Sequence, residues 1–285
     1  MVYFCADDYG VSVGSNLRIE NCLTNGVLNK ISVLPNGDIE DFKHRLASDK
    51  TSLSLHINLV EGYPLSNHAD VDMLISGRGL FRYSFAGLFL LSYSPKRKEL
   101  EKQIYQEIKT QLRFWKSAIG DDAPVMIDSH QHTHMIPLVF KTLVRVIEDE
   151  GIDVSYMRIS SEPILPYILT PSMYLTYSPT GLLKQWILNF LAFLNRREIK
   201  KHKLRSSYFM GALFSGCLDE KKIKKLLPRY QKLAEKKQMD IEIAFHPGYL
   251  KDGDDLLFGC REDFKKFYYS PRRCTEHDTL INLKL

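Results

Sequence analysis

Short apolar runs alternate with helical patterns along almost the whole chain. The clearest helical pattern covers 97–119, where Leu100, Ile104 and Ile108 recur at a spacing of four and predict one buried helix face. A second helix is predicted over 219–237. The runs typical of strands fall between such patterns, at 2–7, 29–34, 52–59, 124–129, 154–160, 206–213 and 240–246.

This alternation indicates the fold class. Strands separated by helices form parallel βα units, whose helices cover both sides of an open sheet or the outside of a barrel. A chain of 285 residues with 44% hydrophobic content can build one large core, and no repeat or linker divides it. We therefore expect a single α/β domain, with its chemistry at the carboxyl ends of the strands.

Four of the predicted strands end in acids or histidines. The four stretches read CADDYG, LHINLVEG, DSHQHTH and AFHPG, and they follow the first, third, fourth and seventh strands. Parallel strands place their carboxyl ends at one edge of the sheet. These residues are therefore expected to gather in one mouth.

The densest of these signals is DSHQHTH. His130, His132 and His134 recur with period two, so on an extended segment they share one face with Asp128. Imidazole is the commonest metal ligand, and a carboxylate often orients it. A helix would instead pair His130 with His134, but the apolar run before and Pro137 after favour a strand followed by a loop. Three histidines directly after an apolar run also disfavour a plain surface loop.

The other three stretches add two carboxylates and two histidines. Asp7 and Asp8 are adjacent and cannot point the same way on a strand, so they are expected to have different roles. Taken alone, His56 could be a buried core residue whose hydrogen bonds are satisfied. Its position at a strand end, before the turn at Glu61, favours a role in the functional site. His246 precedes a Pro-Gly turn that fixes it at a strand end.

One chemical account uses all of these groups. A carboxylate and two histidines can hold a divalent metal with open positions, while a second carboxylate accepts a proton from water and a further histidine protonates the leaving group. The pattern therefore predicts metal-assisted hydrolysis of an amide or ester. A Ser/His/Asp triad is disfavoured because the chain has no GxSxG, and Ser129 is not on an elbow.

Charge and cysteine content indicate which partners and which cellular compartment to expect. The net charge of +5 is clustered at 95–102, 196–205 and 221–225, which we interpret as solvated helix faces rather than a nucleic-acid surface. Five widely spaced cysteines without CxxC argue against a disulfide framework and a thiolate zinc site. The chain begins without a signal-peptide pattern and its apolar segments are too short to span a bilayer, so a cytoplasmic protein is expected.

The motifs ADDYG, HINLVEG, DSHQHTH and HPG, in this order, resemble those of the YdjC/ChbG-like carbohydrate deacetylases. The resemblance runs from Asp7 to the end of the chain and includes YYSPRRCTEHDTL. It implies a distorted TIM-like (β/α) barrel with about seven parallel strands. It also implies hydrolysis of the N-acetyl group of an amino sugar or acetylated oligosaccharide, with release of acetate.

The resemblance also implies roles for individual residues. One divalent metal ion, magnesium or zinc, would be held by Asp8, His56 and His130. Asp7 would be the general base and His246 the general acid. Residues that orient a ligand or line the substrate mouth would be Asp128, His132, His134 and Arg158.

Segment 161–205 matches the family poorly and is expected to be a lid or an oligomerisation surface that sets which sugar is accepted. Its apolar part, 182–194, is interpreted as core packing or a homodimer contact rather than a membrane contact.

Two other functions stay open at this point. The same site could hydrolyse an O-acyl or phosphate ester, or the chain could be a non-catalytic sugar-binding protein.

Overall fold

The computed structural model describes residues 1–46, 48, 50–254, 259 and 262–284. All seven predicted strands are present and pair in parallel. The four cysteines among these residues are free, and Cys260 lies outside them. In chain order, β1 to β7 are Val2–Tyr9, Lys30–Val33, Ser52–Ile57, Val125–Ser129, Val154–Met157, Tyr208–Met210 and Ile241–Phe245.

The strands form one sheet in the order β5-β4-β3-β2-β1-β7-β6, so β1 lies near its centre. The sheet curls so that its two edges approach each other. The Met157 amide of β5 donates to the carbonyl of Arg205 at 2.9 Å, and the hydroxyls of Tyr156 and Ser207 are 2.7 Å apart. The result is a curled half-barrel in a single domain, which confirms the predicted distorted TIM-like barrel.

Helices cover the outside of this barrel. The predicted helix over 97–119 is present with the same bounds, and its buried residues include Leu100, Ile104 and Trp115. Among the helices in the described part of the chain, none combines the length and hydrophobicity needed to cross a membrane. In chain order, α1 to α10 are Val13–Asn25, Phe42–Arg45, Phe85–Leu91, Arg97–Ile119, Pro137–Asp149, Leu165–Ile168, Pro179–Lys201, Glu220–Lys237, Glu262–Tyr268 and Pro271–Asn282.

The inside of the barrel carries charges, whereas the main apolar core lies between the sheet and the helices. Lys30 donates to Glu242 at 2.9 Å, and Arg158 contacts Glu242 at 2.6 Å and Asp128 at 3.2 Å. All four side chains are fully buried. Buried charges are tolerated when each has a partner of opposite sign. This ion-pair network lies beneath the polar residues at the strand ends and supports them.

Candidate metal centre and active site

A bulge at the end of β1 places Asp7 and Asp8 in the same cavity. In the pairing with β2, Ala6 lies opposite Ile31 and Tyr9 opposite Val33, so β1 carries one extra residue. Asp8 adopts a left-handed backbone with φ of 70°, which is uncommon for a residue other than glycine. Both carboxylates line the cavity, although adjacent residues on a regular strand would face opposite ways.

Asp8, His56 and His130 converge at this mouth. The Nδ1 of His130 is 2.9 Å from Asp8 Oδ1, and the Nε2 of His56 is 3.6 Å from the same oxygen. All three side chains are almost fully buried. Their ligand atoms lie within 4.8 Å of one another. Three different strand ends therefore bring one carboxylate oxygen and two imidazole nitrogens together.

Each of these histidines is backed by a second carboxylate. His56 donates from Nδ1 to Asp128 at 2.6 Å, which leaves its Nε2 facing Asp8. His130 donates from Nε2 to Glu61 Oε2 at 2.5 Å. Such outer carboxylates fix the tautomer and the ring orientation of metal-ligating histidines.

The two outer carboxylates are themselves fixed by hydroxyl groups. Asp128 accepts from Ser32 at 2.6 Å and from Ser54 at 2.9 Å. Glu61 accepts from the hydroxyl of Tyr268 at 2.8 Å. Each histidine is therefore oriented by a carboxylate that is itself held by hydroxyl groups.

These residues fit a divalent cation. Ligand atoms about 2.0–2.2 Å from one zinc ion lie roughly 3–3.6 Å from each other, close to the spacings around Asp8 Oδ1. A carboxylate with two imidazoles suits a metal of intermediate hardness. A second grouping, Asp128 with Asp7 and His56, already contains the guanidinium of Arg158. Arg158 occupies both oxygens of Asp7, whereas Arg273 contacts only Oδ2 of Asp8 and leaves Oδ1 facing the two histidines, so Asp8 is the better centre for an ion.

Electrostatics in the cluster favour the charged forms. Burial opposes ionisation of Asp8, but His130 and Arg273 outweigh it and hold the pKa of Asp8 well below its usual range. Burial likewise opposes protonation of His130, yet Asp8 and Glu61 raise its pKa to about 10. A bound cation requires neutral His130, so binding must displace that proton.

Asp7 is held by Arg158 of the fifth strand's carboxyl end. Its two oxygens accept from the two terminal nitrogens of Arg158 at 2.7 and 2.8 Å. Burial raises the pKa of Asp7, but the guanidinium more than compensates and lowers it overall. Asp7 is therefore ionised at neutral pH and fixed in one orientation.

His246 lies at the rim of the cavity after β7, partly exposed. Its backbone amide donates to Glu276 Oε2 at 2.5 Å, and its ring Nδ1 is 3.6 Å from that oxygen. Arg273 donates from Nε to the carbonyl of His246 at 2.9 Å and from a terminal nitrogen to Asp8 at 2.8 Å. Arg273 thus connects His246 directly to a candidate metal ligand.

The prediction that the three histidines of DSHQHTH share one face is wrong. The strand ends at Ser129, and the chain turns because Gln131 and His132 both adopt left-handed conformations, with φ of 53° and 58°. His130 then faces Asp8, while His132 contacts Ser160 at 3.0 Å and lines the cavity.

His134 and Arg158 lie behind the cavity wall, not at the substrate mouth. His134 is fully buried between the hydroxyl of Ser129 at 2.5 Å and the carbonyl of Arg158 at 2.7 Å. Burial lowers the pKa of His134 to about 4, so it stays neutral. Arg158 is also fully buried in its ion pairs. Both residues therefore have supporting positions.

Three residues of the site were missed in the sequence. Glu61 was noted only as part of a turn, while Arg273 and Glu276 lie in the YYSPRRCTEHDTL stretch without an assigned role. The signal available for Arg273 and Glu276 was their spacing of three on a helix, which places both on one face. Glu61 follows His56 by five residues in a loop, where no periodicity applies.

The cavity above these groups has a volume of about 510 Å³. Its far walls are apolar, with Leu183, Ile187 and Leu188 of α7 on one side and Phe267 of α9 on the other. Lys184 also faces the cavity from α7. Segment 161–205 therefore supplies one complete wall of the candidate site.

Comparison with known proteins shows the family and the fold of the chain. The family model described as "YdjC-like protein" matches residues 1–285. A solved structure from Enterococcus faecalis, named "putative cellobiose-phosphate cleavage protein", superposes with a TM-score of 0.67 at 16% sequence identity. The match covers 99% of this chain and 90% of that one. At this identity the superposition establishes the shared fold.

Proposed function

The chain belongs to the YdjC-like protein family, and on that premise we propose that it is a metal-dependent deacetylase of amino sugars. It would hydrolyse the N-acetyl group of a sugar or oligosaccharide and release acetate. The observation that carries this proposal is the convergence of Asp7, Asp8, His56, His130 and His246 on one cavity.

Asp8, His56 and His130 would hold the metal ion, magnesium or zinc. When bound, such an ion polarises the acyl carbonyl and activates water for attack. Asp128 and Glu61 support the ligands by holding the two imidazoles in a fixed orientation.

The remaining residues would move protons and position the sugar. Asp7 is ionised and pinned by Arg158, so its carboxylate can accept a proton from the attacking water. His246 would donate a proton to the amine as the carbon–nitrogen bond breaks. His132 lines the cavity beside them, and the α7 wall from segment 161–205 would select which sugar is accepted.

The test is acetate release from N-acetylated chito-oligosaccharides and other acetamido sugars, with and without a chelator. We expect release that is lost on chelation and restored by Mg²⁺ or Zn²⁺. Asp7→Asn should keep the metal and lose turnover by about 100-fold or more. Asp8→Asn should lose the metal. Equal loss of metal in both variants would contradict the separate roles.

The same panel separates the alternatives. It should include O-acetylated sugars and a phosphorylated disaccharide, because the similar Enterococcus protein is named for cellobiose-phosphate cleavage. Release of phosphate or O-linked acetate without N-deacetylation would assign another hydrolase activity to the metal site. Binding of sugars without any turnover, with metal present, would indicate a non-catalytic protein.

A further inference from the structure

The outward side of α7 is an exposed apolar surface. Trp186, Phe190 and Phe193 are 64%, 44% and 56% exposed, and Leu182 and Leu194 are exposed beside them. The rings of Trp186 and Phe190 stack in parallel with centroids 5.7 Å apart. We call these five residues the α7 face. The interpretation of this part of 182–194 as core packing is wrong for them.

The helix is seated on the barrel by its other side. Gln185, Leu188, Leu191 and Asn195 are buried, and the Asn195 side chain donates to the carbonyl of Met135 at 2.8 Å. At 100° per residue, these buried positions occupy the half of the helix opposite the α7 face. The apolar residues of that face are therefore not required to hold α7 in place.

Basic residues follow the α7 face toward the carboxyl end of the helix. Arg197, Lys200 and Lys201 are exposed, and helical spacing places them in line with Trp186, Phe190 and Phe193. Segment 161–205 contains seven Lys/Arg and two Asp/Glu, a net charge of +5 that equals the charge of the whole chain. Much of the positive charge of the protein thus lies in the segment that carries the α7 face.

The α7 face adjoins the mouth of the cavity. Leu183 and Ile187, on the neighbouring positions of the same helix, line that cavity. Helix α3 packs, through Phe85 and Phe89, against the same buried cluster that contains Leu188 and Leu191 of α7. It ends near Tyr93, which is exposed and is followed by the exposed basic residues at 96–98. Helix α3 therefore shows the same order as α7, apolar residues followed by basic ones.

We propose that the α7 face docks on the surface of an anionic lipid bilayer. A helix with exposed Trp, Phe and Leu and adjacent Lys and Arg lies in the interface, with its apolar side chains among the acyl chains and its cations at the headgroups. None of the helices in the described ranges could cross the membrane, so the contact is peripheral. The docking does not depend on the reaction in the cavity.

A second copy of the chain is the competing occupant. Pairing two copies through this face would bring together two segments of net charge +5, which repel each other. Anionic headgroups neutralise the same charge. The charge distribution therefore favours the bilayer over the homodimer.

The experiment is flotation of the full-length protein with vesicles of phosphatidylcholine alone or with 30 mol% phosphatidylglycerol. We expect binding to the anionic vesicles only. Trp186 also reports the contact directly, because the chain has two tryptophans and the other, Trp115, is fully buried. Its emission should shift to the blue on binding.

Two sets of substitutions locate the contact. Arg197→Gln with Lys200→Gln and Lys201→Gln should weaken binding roughly 10- to 100-fold. Phe190→Ser with Phe193→Ser should abolish it, with an unchanged melting temperature.

The matched control removes the same charge from α8, which lies on the outside of the barrel. Lys232→Gln with Lys236→Gln and Lys237→Gln should change binding less than threefold. Equal losses in the two basic triple variants would overturn the proposal, as would binding that does not depend on anionic lipid or no binding at all. So would a concentration-dependent dimer, measured by light scattering, that buries Trp186.

Discussion

Substitution Glu61→Gln would test whether the carboxylate behind His130 controls metal affinity. Glu61 is fully buried and accepts from His130 at 2.5 Å and from Tyr268 at 2.8 Å. Both bonds go to Oε2, so the carbonyl oxygen of a glutamine of the same length can accept both of them. It removes the negative charge that polarises the imidazole. The variant therefore isolates the charge from the shape of the side chain.

The expected magnitude follows from the type of hydrogen bond. A bond to a charged partner contributes about 1.5–3 kcal/mol, and a neutral one about 0.5–1.5 kcal/mol. The difference of about 1–1.5 kcal/mol corresponds to a roughly 5- to 12-fold increase in the metal dissociation constant. That range overlaps the loss of about 10- to 100-fold typical for partners of metal-ligating histidines.

The assay is titration of metal-free protein with Zn²⁺ against a chelator of known affinity. Thermal unfolding of the metal-free variant shows whether it is folded. Tyr268→Phe is the matched control, because it removes the other hydrogen bond to Glu61 and keeps the charge; we expect a change of less than threefold. An unchanged dissociation constant in folded Glu61→Gln, or equal losses in the two variants, would refute this role of the carboxylate.

Three further predictions concern stability. In metal-free protein the pKa of His130 is raised to about 10, so protonation of this residue stabilises the fold fully below about pH 6.5 and no longer does so once the pH has risen through 10. The melting temperature should therefore fall over this pH range, and it should fall less in Asp8→Asn. His134→Ala should lower the free energy of unfolding by about 2–4 kcal/mol in urea, because it leaves a cavity and unpaired buried groups, and clearly more than His132→Ala. Arg158→Met should lower it by about 3–5 kcal/mol by leaving buried carboxylates without a cation, and an unchanged urea midpoint would contradict the ion-pair network.

The fold was predictable because its elements have strong local periods. The helix at 97–119 follows from apolar spacings of three and four, and the strands follow from short apolar runs between helices. Parallel pairing then follows from the alternation itself. The buried Glu242 is visible in the sequence as a charge between Ile241 and Ile243, whereas Lys30 follows Asn29 at the start of its strand.

The geometry of the site was less predictable. An extra residue in β1 turns both Asp7 and Asp8 to the cavity, and left-handed residues redirect the histidines after β4. These conformations are set by tertiary contacts, not by residue type, so the regular period of a strand predicted the wrong directions. Glu61 and Arg273 were missed because only the folded chain shows which residues they meet.

The contact between Arg273 and Asp8 spans 265 residues and has a consequence for biosynthesis. A growing chain has made Asp8, His56 and His130 long before it reaches Arg273. Until then the Asp8 carboxylate lacks the guanidinium of Arg273, and for most of that time β1 also lacks its neighbour β7 in the middle of the sheet. The geometry proposed to hold a metal ion would therefore be complete only late in synthesis. A product that stops short of residue 273 would contain every proposed ligand and still be unable to assemble the centre.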